Sequence, residues 1–105
     1  MGKKRPMKVN RANTFNGWKL INRKENKDGV LAFFEKTFRA DKDFPKSGEE
    51  LMMDFANSEF NNYSIKDMRL RADKKERSWR VCTLKLESTT DGTRLVIPEK
   101  WPKFD

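Results

Sequence analysis

Hydrophobic residues in this chain come in short separated runs, and the spacing inside the runs changes along the sequence. Trp18-Lys19-Leu20-Ile21 reads as a short strand, and Lys24 to Gly29 is a polar turn ending in Asp-Gly. The next run, Val30 to Arg39, fits two periods. As a helix it gathers Val30, Leu31, Phe33, Phe34 and Phe38 on one face, with Glu35 and Arg39 four apart on the other. As a strand it places Val30, Ala32, Phe34 and Phe38 on one face, and the Asp-Gly turn folds it back on residues 18–23 as a hairpin. The rings and the turn favour the strand.

Further on, Ser47 is followed three residues later by Glu50, the spacing of a capping box in which each side chain satisfies a backbone N–H left over at the helix start. This predicts a capped helix over about 48–60, bracketed by Pro45 and Asn61-Asn62, with Leu51, Met52, Phe55 and Phe60 buried. Glu49, Glu50 and Asp54 near its start suit the helix dipole, which accounts for these acids without a metal ion.

From Ile65 the period is two: Met68, Leu70 and Ala72 alternate with Asp67, Arg69, Arg71 and Asp73. Lys74-Lys75-Glu76 connects to a return strand over 78–87. Trp79 and Val81 lie on one face of it and Cys82, Leu84 and Leu86 on the other, so the apolar face switches near Cys82-Thr83. That implies a bulge or a strand covered on both sides. With few large groups available to bury, Trp79 is expected as a core ring in preference to a platform on which an unpaired base stacks. A turn at Thr89-Thr90-Asp91-Gly92 leads into a last strand, Arg94 to Ile97, ended by Pro98; the tail from Glu99 is broken by Pro102 and carries Trp101 and Phe104. The expected fold class is α+β: one capped helix on an antiparallel sheet of four or five strands. Residues 1–13 read as a flexible basic arm and 14–105 as a single small globular domain.

Composition alone leans toward disorder, with 38% charged residues, 35% hydrophobic and a mean hydropathy of −0.98. Eight Phe and three Trp in patterned segments reverse that inference, because large rings bury enough area to hold a small core. Cys82 is the only cysteine, so no intramolecular disulfide forms, and an intracellular setting, cytoplasmic or nucleoid/nuclear and not secreted, is expected. No apolar run approaches a membrane span, and the opening MGKKRPMK is not followed by a signal-peptide core, so no membrane partner is expected.

The absence of histidine removes Ser-His-Asp and Cys-His nucleophilic sites and histidine-ligated metals. No glycine lies in a phosphate-cradling motif. Asp41 and Asp43 are the closest carboxylate pair, but they lack the glycine and bidentate glutamate of a calcium loop and read as solvated; no metal or cofactor is expected. A histidine-free ribonuclease with Tyr63 as proton donor is the best enzyme hypothesis. No spacing supports it, Tyr63 fits equally a packing role at the sheet margin, and a non-catalytic protein is expected.

Charge changes the picture most. Lys3, Lys4, Arg5, Lys8 and Arg11 open the chain with no acid among them, a second basic block spans Lys66–Lys85, and an acidic stretch separates the two within a net charge of +8. One-signed surfaces of this kind attract polyanions, although surplus lysine for solubility alone is the competing explanation. In the second block Arg69 and Arg71 share a face, and Lys74, Lys75, Arg77, Arg80 and Lys85 extend the charge through the turn and return strand. Trp79 and Arg80 point to opposite faces unless the strand is bulged. The expected function is therefore nucleic-acid binding, DNA or RNA, through arm and hairpin. Single strands are slightly favoured because no helix is basic enough to read a major groove. The alternative is a small regulatory protein, an inhibitor or adaptor, docking on an acidic protein partner with Trp101 and Phe104 as anchors, against which stands the reading that both rings fold back on the sheet. Opposite-signed segments also leave self-association open.

Overall fold

In the computed structural model, residues 14–88 and 101–104 are described. The arm with Lys3, Lys4, Arg5, Lys8 and Arg11, the turn at Thr89–Gly92 and the strand expected at Arg94–Ile97 lie outside them. Strands β1 (Thr14–Phe15), β2 (Trp18–Asn26), β3 (Gly29–Phe38), β4 (Ser64–Ala72) and β5 (Arg80–Glu87) form one antiparallel sheet in the order β1-β2-β3-β5-β4. Among the described residues a single short α-helix, α1 (Gly48–Met52), extended by a 3-10 turn over Met53–Phe55, covers one face.

The ambiguous run is a strand. Ala32, Phe34 and Phe38 of β3 are buried, and Phe34 stacks edge-on against Phe55 at 4.9 Å and Phe60 at 5.1 Å. Its hairpin with β2 closes more tightly than expected: β2 runs on to Asn26, which pairs with Gly29, and Asn26 Oδ1 accepts from the Asp28 N–H at 2.8 Å. Gly29, at φ +142°, has no room for a Cβ, which would lie 2.7 Å from Ser88 Oγ. That hydroxyl accepts from the Val30 N–H instead. A second hairpin, β1–β2, turns through Asn16 (φ 50°) and Gly17 (φ 92°), the positive-φ pair that a tight two-residue turn demands.

The helix is shorter than the 48–60 expected. Ser47 Oγ accepts from the Glu50 N–H at 3.2 Å, while the Glu50 carboxylate reaches one residue beyond the cap, to the Lys46 N–H at 3.1 Å. Downstream, Ser58 ends the helical course. Its hydroxyl donates to the Phe55 carbonyl at 2.8 Å and accepts from the Phe60 N–H at 3.1 Å, offering the backbone partners that a continued helix would have supplied. Phe60 is still buried, but from a turn.

Strand β5 is central and pairs with β3 on one side and β4 on the other. It contains no bulge; the face switch anticipated near Cys82 comes from burial on both sides, with Cys82, Leu84 and Leu86 in the core and Val81 buried on the opposite face. Register shifts occur instead in β2, between Leu20 and Asn22, and in β4, between Ile65 and Asp67. Trp79 is not a core ring: it stands half-buried outside the core cluster. No helix among the described residues is long and apolar enough to cross a membrane.

Two measurements check this core. Phe34→Ala is expected to cost about 3–5 kcal/mol in urea unfolding, whereas Phe33→Ala, on the other face, should cost about 1 kcal/mol; the reverse order would exchange the two faces. Burial pushes the Cys82 thiol from 9.0 up to about 12. Between those values the unfolded thiol has lost its proton while the folded one keeps it, so the unfolded state binds fewer protons and stability falls as pH rises. Cys82→Ala should flatten that fall relative to the wild type.

Candidate nucleic-acid interface

Because residues alternate across a sheet, burying Ala32, Phe34 and Phe38 sends Leu31, Phe33, Glu35 and Thr37 to the other face. Phe33 is half-buried there, and its cross-strand partner in β5 is Lys85, whose Nζ lies 5.4 Å from the ring centroid. On the other side Lys24 of β2 brings its Nζ to 5.8 Å from the same ring. Lys24 reaches this face because the β2 bulge advances the register by one residue after Leu20, so Lys24 pairs with Leu31 and Arg23 with Ala32.

The acids on this face are matched. Glu35 Oε2 meets Arg71 Nη2 at 2.9 Å, diagonally across β5; Asp67 Oδ2 meets Arg69 Nε at 3.1 Å; Glu87 Oε1 meets Lys66 Nζ at 3.4 Å. Among the described residues no carboxylate lies within 4.0 Å of Lys24 or Lys85. At the far end of the face, the Arg39 guanidinium stacks over the Trp79 ring at 4.6 Å. The β4–β5 connection projects Lys74, Lys75 and Arg77 into solvent, held by Asp73 Oδ2, which accepts from the Lys75 and Glu76 N–H groups at 3.0 and 2.9 Å.

Not every expected residue joins this surface. Arg80 lies on the core side of β5, donating to the Arg77 and Trp79 carbonyls at 2.7 and 2.9 Å with its guanidinium over Phe104. Arg80 and Trp79 thus do point to opposite faces. Trp101 donates from Nε1 to the Pro45 carbonyl at 2.9 Å, and both Trp101 and Phe104 pack against Phe44 with centroids 6.3 Å away. Tyr63 packs edge-on against Phe60 at 4.9 Å, and partial burial raises its pKa, opposed by the nearby Arg23. Among the described residues no three acidic or cysteine side chains converge.

The acidic segment occupies the covering layer, away from the open face. There Asp54 Oδ2 accepts from Trp18 Nε1 at 3.0 Å and lies 4.0 Å from Lys36 Nζ, and Glu59 pairs with Arg23 at 3.3 Å. Asp54 and Glu59 therefore lie on the layer opposite Lys24 and Lys85.

Sequence reasoning missed Phe33, Lys24 and Arg39. The Phe33-Phe34 doublet carries a signal for the first, since a strand must split neighbours between its faces. Lys24 depends on a bulge, and Arg39 on the pairing of β3 with β5 across more than forty intervening residues. The chain matches no protein-family model, no curated protein and no solved structure.

Proposed function

We propose that this chain is a non-catalytic nucleic-acid-binding protein that takes unpaired strands on the open face of its sheet, with the basic arm adding backbone contacts. The observation that carries the reading is the Phe33 ring set between Lys24 and Lys85, two ammonium groups that form no ion pair among the described residues, Asp67 opposite Lys85 being engaged by Arg69. Lysines of this kind draw phosphates, and a ring between them stacks an unpaired base, the combination by which sheet surfaces hold single strands. Duplex DNA is less well served. The α-helix among the described residues carries Glu49 and Glu50 at its start and would meet a duplex with like charge.

The adaptor reading is less favoured, because Trp101 and Phe104 already pack against Phe44 and a partner would have to displace them. The test is fluorescence anisotropy with labelled single-stranded DNA, duplex DNA and RNA at low and physiological salt. Lys24→Ala/Lys85→Ala should weaken single-strand binding and lower the log–log salt slope by about 1.4, at roughly 0.7 per phosphate contact. A chain starting at Thr14 should lose up to about 3.5 from the slope if all five arm cations engage phosphates. Absence of binding to any of these ligands at low salt would overturn the reading.

A further inference from the structure

We propose that Arg39 and Trp79 form a second base-stacking station, so that an unpaired strand lies extended along β5 between this pair and Phe33. The inference rests on the nucleic-acid reading above and specifies its geometry. The last β3–β5 pair is Phe38 with Arg80, so the next residues, Arg39 and Trp79, face each other where the strands run out. Trp79 precedes β5, its carbonyl accepting from the Asp73 N–H at 3.1 Å. By alternation both side chains share the face of Phe33. Arg39 is exposed, and its guanidinium carbon stands over the indole 4.6 Å from the ring centroid, where a base can extend the contact.

Spacing selects the ligand. Lys85, beside Phe33, and Trp79, just before β5, are six positions apart, roughly 20 Å at about 3.3 Å per residue. Stacked bases rise only about 3.4 Å, so neighbouring bases of a helical stack cannot occupy both stations. An extended strand, with unstacked nucleotides crossing the gap, can. The ground between favours passage: Thr37 and Thr83 are small, Val81 is buried, and Glu35 is neutralised by Arg71, which keeps donors for a phosphate. At the Trp79 end the exposed Lys74, Lys75 and Arg77 stand ready for backbone charge.

The experiment is a length series of oligothymidylates from about two to about ten nucleotides, bound to wild type, Phe33→Ala, Trp79→Ala, Trp79→Phe and Arg39→Ala, with thermal melts to confirm folding. Wild-type affinity should climb steeply until a strand spans both stations and then level off. Trp79→Ala and Arg39→Ala should lose roughly five- to a hundredfold on the long oligomers, yet stay within about twofold of wild type on the shortest, which need one station only. Trp79→Phe, which keeps a ring, should retain most of the affinity. Arg39 is exposed and lies outside the core, so its variant decides the matter even if Trp79→Ala fails to fold. Should Arg39→Ala bind long oligomers as wild type does, or should wild type show no length step, the second station is wrong while the Phe33 site stands. If wild type binds none of the oligomers, the nucleic-acid reading falls, and this inference with it.

Discussion

Phe34 is the ring on which the two layers of this protein meet. It is fully buried and touches Phe15 from β1, Phe55 from the 3-10 turn and Phe60 from the turn beyond, at centroid distances of 5.8, 4.9 and 5.1 Å. The helix at α1 has five residues, far too few to persist by its own hydrogen bonds. What holds it is the burial of Leu51 and Phe55 against the sheet. Once Phe34 is committed to that contact, the two-residue repeat of a strand leaves Phe33 no choice of face. The candidate binding surface is thus a consequence of core packing rather than a separate feature added to it.

The same constraint sorts charge. The covering layer has to be built from residues 41–60, and that is where the sequence concentrates its acids. Trp18 and Lys36 engage Asp54, and Arg23 engages Glu59. Exposed pairs of this type contribute little to stability, about 0–1 kcal/mol each, so their consequence is chiefly one of placement. They hold negative charge on the side away from Lys24 and Lys85. On the open face Arg71, Arg69 and Lys66 offset Glu35, Asp67 and Glu87 locally, and the two lysines beside Phe33, with Arg39 at the far end, stand in excess of those pairs. A polyanion approaching the molecule meets attraction on one face and repulsion on the other.

How much of this was legible in the sequence follows from how local each signal is. Strand period fixed the inward set Ala32, Phe34 and Phe38, and it put Trp79 and Val81 opposite Cys82, Leu84 and Leu86. Ser47 marked the helix start through a side-chain contact spanning three residues. The helix end was misjudged because Phe60 fits a helical face by spacing, while Ser58, the residue that diverts the chain, is an ordinary polar position until its hydroxyl is seen between Phe55 and Phe60. Asn16-Gly17 was readable as a tight hairpin turn, but the strand before it, Thr14-Phe15, is too short to show a period. Trp79 was expected inside on the assumption that the sheet lacked large groups to bury. Phe15, Phe44, Phe55 and Phe60 met that need from outside the three long central strands.

The bulges were the least legible element, and the β2 bulge matters most for the site. Had β2 kept the register of Leu20 with Phe34, Ile21 would oppose Phe33, Asn22 would oppose Ala32, and Lys24 would turn inward against Val30. Glu25 would then lie on the open face opposite Gly29, and Arg23, leaving Glu59, would take the place opposite Leu31 that Lys24 now holds. The inserted residue reverses all of these placements. It leaves Ile21, at 48% exposure, as the unpaired position, sets Asn22 opposite Phe33, directs Arg23 and Glu25 together to the covering layer at 3.2 Å, and delivers Lys24 to the ring. A bulge exposes backbone groups and an apolar side chain and disrupts the ladder locally. In a sheet whose core is otherwise closed by aromatic contacts, its effect is to keep Arg23 paired with Glu25 and Glu59 on the covering layer and to leave Lys24, with no ion pair among the described residues, beside Phe33.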